Sequence, residues 1–363
     1  MSITHMVGDN VTMIFNEKTG AAELYSDNGT LRRNWLERAG IPRYEVSSIR
    51  VTKGVVHMPK NALGLFGGLP NLKTLNLNGF DSSETEDMEY MLSGCGKLKN
   101  LKIKALDTSK VMNMMGMFFG CHSIERLNLS SFDTSKVTNM ENMFRECRSL
   151  EYLNTSRFNT SNVTSMKSMF RECRNLERLN TSSFDTSNVT DMDCMFINCE
   201  SLTDLDLGHF DTSKVTSMCD MFSWCNSLVH LNINGFDTSN VTDMSLMFAR
   251  CDSLTSVDLS TFDTQRVIRM DNMFYGCKKL VTLNPSGFKT PALISIKGMF
   301  HLCKQIKSLD LGGMDLSNIV DAENLFRDCK KLELIVMPAV INHDACTKNM
   351  FSGCRENINV VSI

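Results

Sequence analysis

The sequence lacks any apolar run approaching the roughly 18 consecutive residues that a membrane-spanning helix needs, so membrane insertion is not expected. It also lacks an excess of either charge. Its 38 Lys+Arg stand against 41 Asp+Glu, a net −3, which excludes a polybasic nucleic-acid binder and an acidic tail. The opening MSITHMVGDNVTMIF has neither a basic n-region nor an apolar h-region. From the chain alone, a cytoplasmic or assembly-associated location is therefore expected. The motifs of common chemistries are missing too: there is no Walker loop, no G-x-S-x-G, and no H-x-x-x-H among the seven His. No set of nucleophile, base and oxyanion donors can be assembled, so neither an enzyme nor a cofactor is expected.

What the chain does have is rhythm. Phe118, Phe144, Phe170, Phe196, Phe222, Phe248, Phe274, Phe300 and Phe326 recur every 26 residues, and Cys95, Cys121 and Cys147 open a ladder of eleven Cys on the same beat. A period of this size means stacked units, none of which can bury a core alone. In the unit Ser201 to Asn226, Leu202, Leu205 and Leu207 give L-x-x-L-x-L, with the last two pointing inward from a short strand. Val215, Met218, Met221, Phe222 and Cys225 follow at spacings of three and four, which predicts one face of a short helix. Thr138, Thr164, Thr190, Thr216 and Thr242 are placed to cap those helices. The expected fold is an α/β solenoid, a leucine-rich-repeat-like arc with a parallel sheet on one face and short helices on the other. Residues 1–54 are expected to form an N-terminal cap of a hairpin plus a short helix, and residues 55–363 a solenoid of about eleven repeats.

The unit F-D-T-S-N-V-T-x-M-x-x-M-F-x-x-C-x-S-L resembles the repeat of BspA-like leucine-rich repeat surface proteins, a type also found in mycoplasma lipoproteins. The resemblance covers about residues 55 to 363. It implies a non-enzymatic adhesion or host-protein-binding module, and a cell-surface location. The alternative is a structural scaffold component of an intracellular or virion assembly.

One Cys per rung is the wrong grouping for zinc, so the ladder reads as buried thiols acting as small hydrophobes. Cys194 and Cys219 leave the ladder and fall on adjacent rungs, which opens either a bridge or two unrelated exposed thiols. Asp133, Asp185, Asp211, Asp237 and Asp263 recur before Thr and read as turn caps rather than calcium ligands.

The outward positions of the sheet carry the site expectation. One column reads Asn76, Lys102, Asn128, Asn154, Asn180, Asp206, Asn232 and Asp258, and stacked amides suit a structural ladder. The column two residues earlier reads Arg126, Tyr152, Arg178, Asp204 and His230, with Arg157 close by at a strand exit. Arg and Tyr are enriched at interface hot spots, so these six residues form the expected protein-binding site. A second expected surface is the C-terminal edge, where Ile358, Val361 and Ile363 are read as inward positions of a last rung open to a second copy or an assembly neighbour.

Overall fold

The computed structural model describes residues 1–285 and 287–363. The chain divides into two compact units, Met1–Ser165 with Met169–Phe184, and Met166–Ser168 with Asp185–Ile363. In the first, β1 (Ser2–Asn16) and β2 (Ala21–Leu31) form an antiparallel hairpin. Its corner is made by Gly20 at φ +69° and by the Asn16 side chain, which accepts the N–H groups of Lys18 and Thr19. The helix α1 (Trp35–Ala39) stops at Gly40, whose left-handed conformation ends it. β2 then runs parallel to β3 (Ser48–His57), β3 to Thr74–Asn76, and Thr74–Asn76 to Asn100–Lys102. Arg126–Asn128 pairs with Tyr152–Asn154 in the same sense. The second unit repeats the theme, with Asp204–Asp206 beside His230–Asn232 and Ser308–Asp310 beside Leu334–Met337. Each unit is a stretch of leucine-rich-repeat-like β-solenoid.

The expected short helices are absent from the repeats. Among the described residues, helix is confined to α1 and the single turn Arg43–Glu45. The Met-Phe-Cys segment instead forms consecutive tight turns that hydrogen-bond to the next rung. Within one rung the Met221 N–H donates to Met218 and the Cys225 N–H to Phe222. Between these, Asp220, Phe222 and Trp224 donate to Ser245, Met247 and Ala249 of the following rung. Isolated parallel bridges run down the same side, through Asn61, Asp87, Asn113 and Asn139 in the first unit, and through Ser217, Asp243, Arg269 and Ser295 in the second.

Backbone handedness explains why a helix cannot form there. The residue before each ladder Cys has positive φ, whether it is Gly94, Gly120, Glu146, Asn198, Trp224, Arg250 or Leu302. The residue four positions earlier does as well, as in Tyr90, Gly116, Asn142, Cys194, Asp220, Leu246 and Gly298. A right-handed helix admits no such residue, and left-handed geometry costs an ordinary side chain about 1–2 kcal/mol. The Thr residues expected as helix caps serve the ladder instead: Thr138 Oγ1 donates to Met112 O at 3.2 Å, and Thr242 Oγ1 to Thr216 O at 3.2 Å.

The core lies between the two ladders. Phe118, Phe144 and Phe170 stack with centroids 5.6 Å apart in the first unit. Rings from Phe196 to Phe351 stack at 5.3 to 5.8 Å in the second. The Cys ladder serves this spine. Cys147 Sγ donates to Phe118 O at 3.2 Å, Cys225 Sγ to Phe196 O at 3.2 Å, and Cys303 Sγ to Phe274 O at 3.1 Å. A thiol is small enough for the rung spacing and still supplies a weak donor, which neither Ala nor Val can do. Buried Thr of the Asp-Thr-Ser turns fill the same role elsewhere. Thr134 Oγ1 donates to Asn159 O and accepts the Asn159 N–H, both at 2.8 Å.

Leu302 tests the turn geometry directly. Leu302→Gly is expected to be more stable in urea unfolding than Leu302→Val by about 1 kcal/mol, because a β-branched residue fits positive φ worst. A helix would reverse that order, since Gly is the poorer helix former.

Candidate recognition face

Side chains reach the sheet face because Leu127 and Leu153 point inward and are buried, which turns their strand neighbours outward. In the first unit Arg126 and Tyr152 are register partners on adjacent strands. The Arg126 guanidinium lies over the Tyr152 ring, 4.5 Å from its centroid, and Tyr152 remains 42% exposed. Arg157 sits exposed in the turn after Tyr152–Asn154, and Arg178 is exposed on the same unit. In the second unit Asp204 and His230 are register partners, both exposed, and Asp204 accepts the Thr203 hydroxyl at 2.7 Å. They line a groove of ≈ 500 Å³ with Asp206, Asn232 and Asp258. The six expected residues thus divide four to the first unit and two to the second.

The Asn/Asp column is structural. Asn128, Asn154 and Asn180 each accept the N–H two residues on, at 3.0 to 3.1 Å, closing the turn after the strand. Asn154 also donates to Asn128 at 3.1 Å, and Asn232 to Asp206 at 2.8 Å. The Asp of the Asp-Thr-Ser turns does the same for the Ser two residues on: the Ser hydroxyl and then its N–H hold the carboxyls of Asp185 and Asp211 below the usual range, and the Ser135 N–H and then its hydroxyl do so for Asp133. Thr155, which replaces an inward Leu, is buried with its hydroxyl donating to Asn180 O at 3.4 Å.

Sequence reasoning missed Lys102 and Lys104. Together with Arg126 they line a groove of ≈ 530 Å³ on the sheet face of the first unit. The signal was present, because Lys102 interrupts a column of amides and carboxylates. The turn side offers less. Arg148 pairs with Glu146 at 2.9 Å and Glu172 at 3.3 Å, and Arg174 with Glu172 at 3.1 Å, so that cluster is largely neutralised by itself. Among the described residues no group of three or more His, Cys, Asp or Glu is placed to hold a metal, and no helix is long and apolar enough to cross a membrane.

Three overlapping segments, residues 60–178, 164–282 and 254–362, match the family described as "Mycoplasma protein of unknown function, DUF285". The chain belongs to the DUF285 family. The BspA-like resemblance read from the repeat agrees with this. Among solved structures, the DUF285 chain is similar to a leucine rich cell surface protein from Faecalibacterium prausnitzii A2-165, at 16% identity over 100% of this chain and 94% of that one, with a TM-score of 0.39. It is also similar to a leucine-rich repeat protein from Eubacterium ventriosum ATCC 27560, at 15% identity over 98% and 95%, with a TM-score of 0.37. No curated protein matches the sequence.

The irregular positions of this DUF285 chain resolve in two ways. Cys194 and Cys219 form no bridge, and both are half-buried rather than exposed. Their contact is through the backbone, where the Cys194 N–H donates to Cys219 O at 3.0 Å. Burial first, then the carboxylates of Asp220, Asp243 and Asp193, push the Cys219 thiol up to about 12. At the C-terminal edge the register corrects the expected inward set. Buried Ile335 pairs with Val360, while Val361 pairs with Val336. The last unit is one residue shorter than the rest, and a one-residue slip exchanges the two faces of a strand. Ile358 is half-buried, whereas Val361 and Ile363 are 37% and 66% exposed.

These thiols differ sharply in access. With a neutral thiol reagent near pH 7.5, Cys346, the exposed thiol, should react first, with Cys219 and the buried ladder following only on unfolding. Fast labelling of Cys219, read by peptide mass, would contradict its half-buried, acid-flanked placement.

Proposed function

We propose that the sheet face is a protein-recognition surface and that the chain acts as a binding module rather than a catalyst, with residues 1–54 capping the first rung. The observation that carries this reading is the use of the outward column. The Asn and Asp positions are consumed by turn closure, whereas Arg126, Tyr152, Arg157 and Arg178 project from a hydrogen-bonded backbone with no structural duty of that kind. The Arg126–Tyr152 stack supplies rigid, partly apolar contact area at low entropic cost, the combination that dominates interface energetics. Arg157 and Arg178 supply planar donor forks beside it. Adhesion to a host or neighbouring protein is the role that the BspA-like repeat brings with it.

The test uses a partner captured by crosslinking to the intact protein and then purified. Tyr152→Ala with Arg178→Ala should weaken its binding at least tenfold, about 1.4 kcal/mol. Arg148→Ala with Arg174→Ala, on the turn side, should change it less than twofold. Equal losses from both pairs, or no loss from the first, would overturn the reading.

A further inference from the structure

We propose that the groove lined by Lys102, Lys104 and Arg126 in the first unit binds an acidic protein segment, with Asp or Glu side chains of an extended strand seated against the three cations. The proposal rests on the sheet face being a recognition surface and names the chemistry of what it recognises.

The first support is a departure of the repeat from its own rule. At the Lys102 position Asn76, Asn128, Asn154 and Asn180 each accept the N–H of the residue two places on, at 3.0 to 3.1 Å. An ammonium accepts nothing, so this rung gives up the side-chain cap that its neighbours keep. The residue two places on is Asn78, Ser130, Ser156 or Ser182 in those rungs and Lys104 here. Two adjacent outward columns thus exchange a small polar residue for a lysine on the same rung, and both lysines open onto one groove.

The second support is the absence of a countercharge. Lys102, Lys104 and Arg126 are exposed, and no ion pair among the described residues engages any of them. The acid adjacent in sequence, Glu125, faces Lys99 at 3.7 Å. The remainder of the groove is lined by Leu, Ile, Asn and Ser, with no carboxylate. Three cations held together unpaired attract an anion, and the groove's ≈ 530 Å³ accommodates several side chains. Arg126 is already oriented, because its stacking on Tyr152 fixes the guanidinium plane and leaves its N–H edge for a carboxylate.

A nucleic acid fits less well. Binding a polyanion draws on many phosphate contacts along an extended basic surface. Here the basic excess is local: the first unit has 22 Lys+Arg against 19 Asp+Glu, and the second has 16 against 22. Stacking platforms for bases need open aromatic faces, and one face of Tyr152 is covered by Arg126. Asn100–Lys102 pairs with Thr74–Asn76 and Arg126–Asn128 with Tyr152–Asn154, and the groove with its three cationic side chains lies where these two sheets adjoin.

The test follows fluorescence anisotropy of a labelled peptide alternating Glu with Ser, added to the full chain. Its Gln-for-Glu counterpart, inorganic phosphate and a single-stranded oligonucleotide serve as competitors. The Glu peptide should bind, and the Gln peptide should compete at least tenfold less well. Lys102→Asn combined with Lys104→Ser, which restores the residues of neighbouring rungs and so preserves the fold, should weaken the Glu peptide at least tenfold. Undiminished binding to that variant, no binding of the Glu peptide, or tighter binding of the oligonucleotide would each overturn the proposal. Loss of a purified partner on Tyr152→Ala with Arg178→Ala, alongside failure of the Glu peptide, would retain the recognition face and reject only its acidic ligand.

Discussion

Everything in this molecule depends on the in-register backbone bond from one rung to the next. The Phe222 N–H to Met247 O bond, at 2.9 Å, is one instance, repeated in the Phe144 N–H to Met169 O bond in the first unit and in the Phe274 N–H to Met299 O bond in the second. Stacking in register places like on like, so the composition is a consequence of the geometry. A ring stacks on a ring at 5.3 to 5.8 Å in the second unit, and a thiol finds the carbonyl of a preceding rung at about the same distance each time. The repeat therefore tolerates few residue types in its inward columns. Leu, Met, Phe, Cys and Thr satisfy the core, and the polar members find backbone partners in a neighbouring rung, as Thr134, Thr212 and Cys225 do.

The outward columns are free of that constraint, and function must be sought there. Where a side chain closes a turn, as Asn128 or Asp206 does, the column is uniform. Where it does not, Arg126, Tyr152, Lys102 and Lys104 introduce charge and aromatic area on the sheet face. A rigid ladder with a variable outer face is a physical basis for recognition, because the ordering cost is met in folding rather than in binding.

The period, the inward Leu205 and Leu207, and the outward setting of Arg126 and Tyr152 were legible in the sequence because strand alternation leaves one reading. The turn segment was not. Consecutive tight turns place Met218, Met221, Phe222 and Cys225 on one face at intervals of three and four, the same spacing a helix produces. The discriminating signal lay between them, in the Gly, Asn and Asp that recur at the left-handed positions, as in Gly120, Asn198, Gly276 and Asp328. Glu146, Trp224, Arg250 and Leu302 obscure it by occupying the same position at a conformational cost. The last strand misled for a simpler reason: a unit one residue short moves Val360, not Val361, into the inward register.

The central claim is that the repeats are built from laddered turns and strands, with α-helix among the described residues confined to Trp35–Ala39. Far-UV circular dichroism of the intact protein measures this most directly. A β- and turn-dominated spectrum is the predicted result. A helical double minimum corresponding to one short helix in every rung would contradict it.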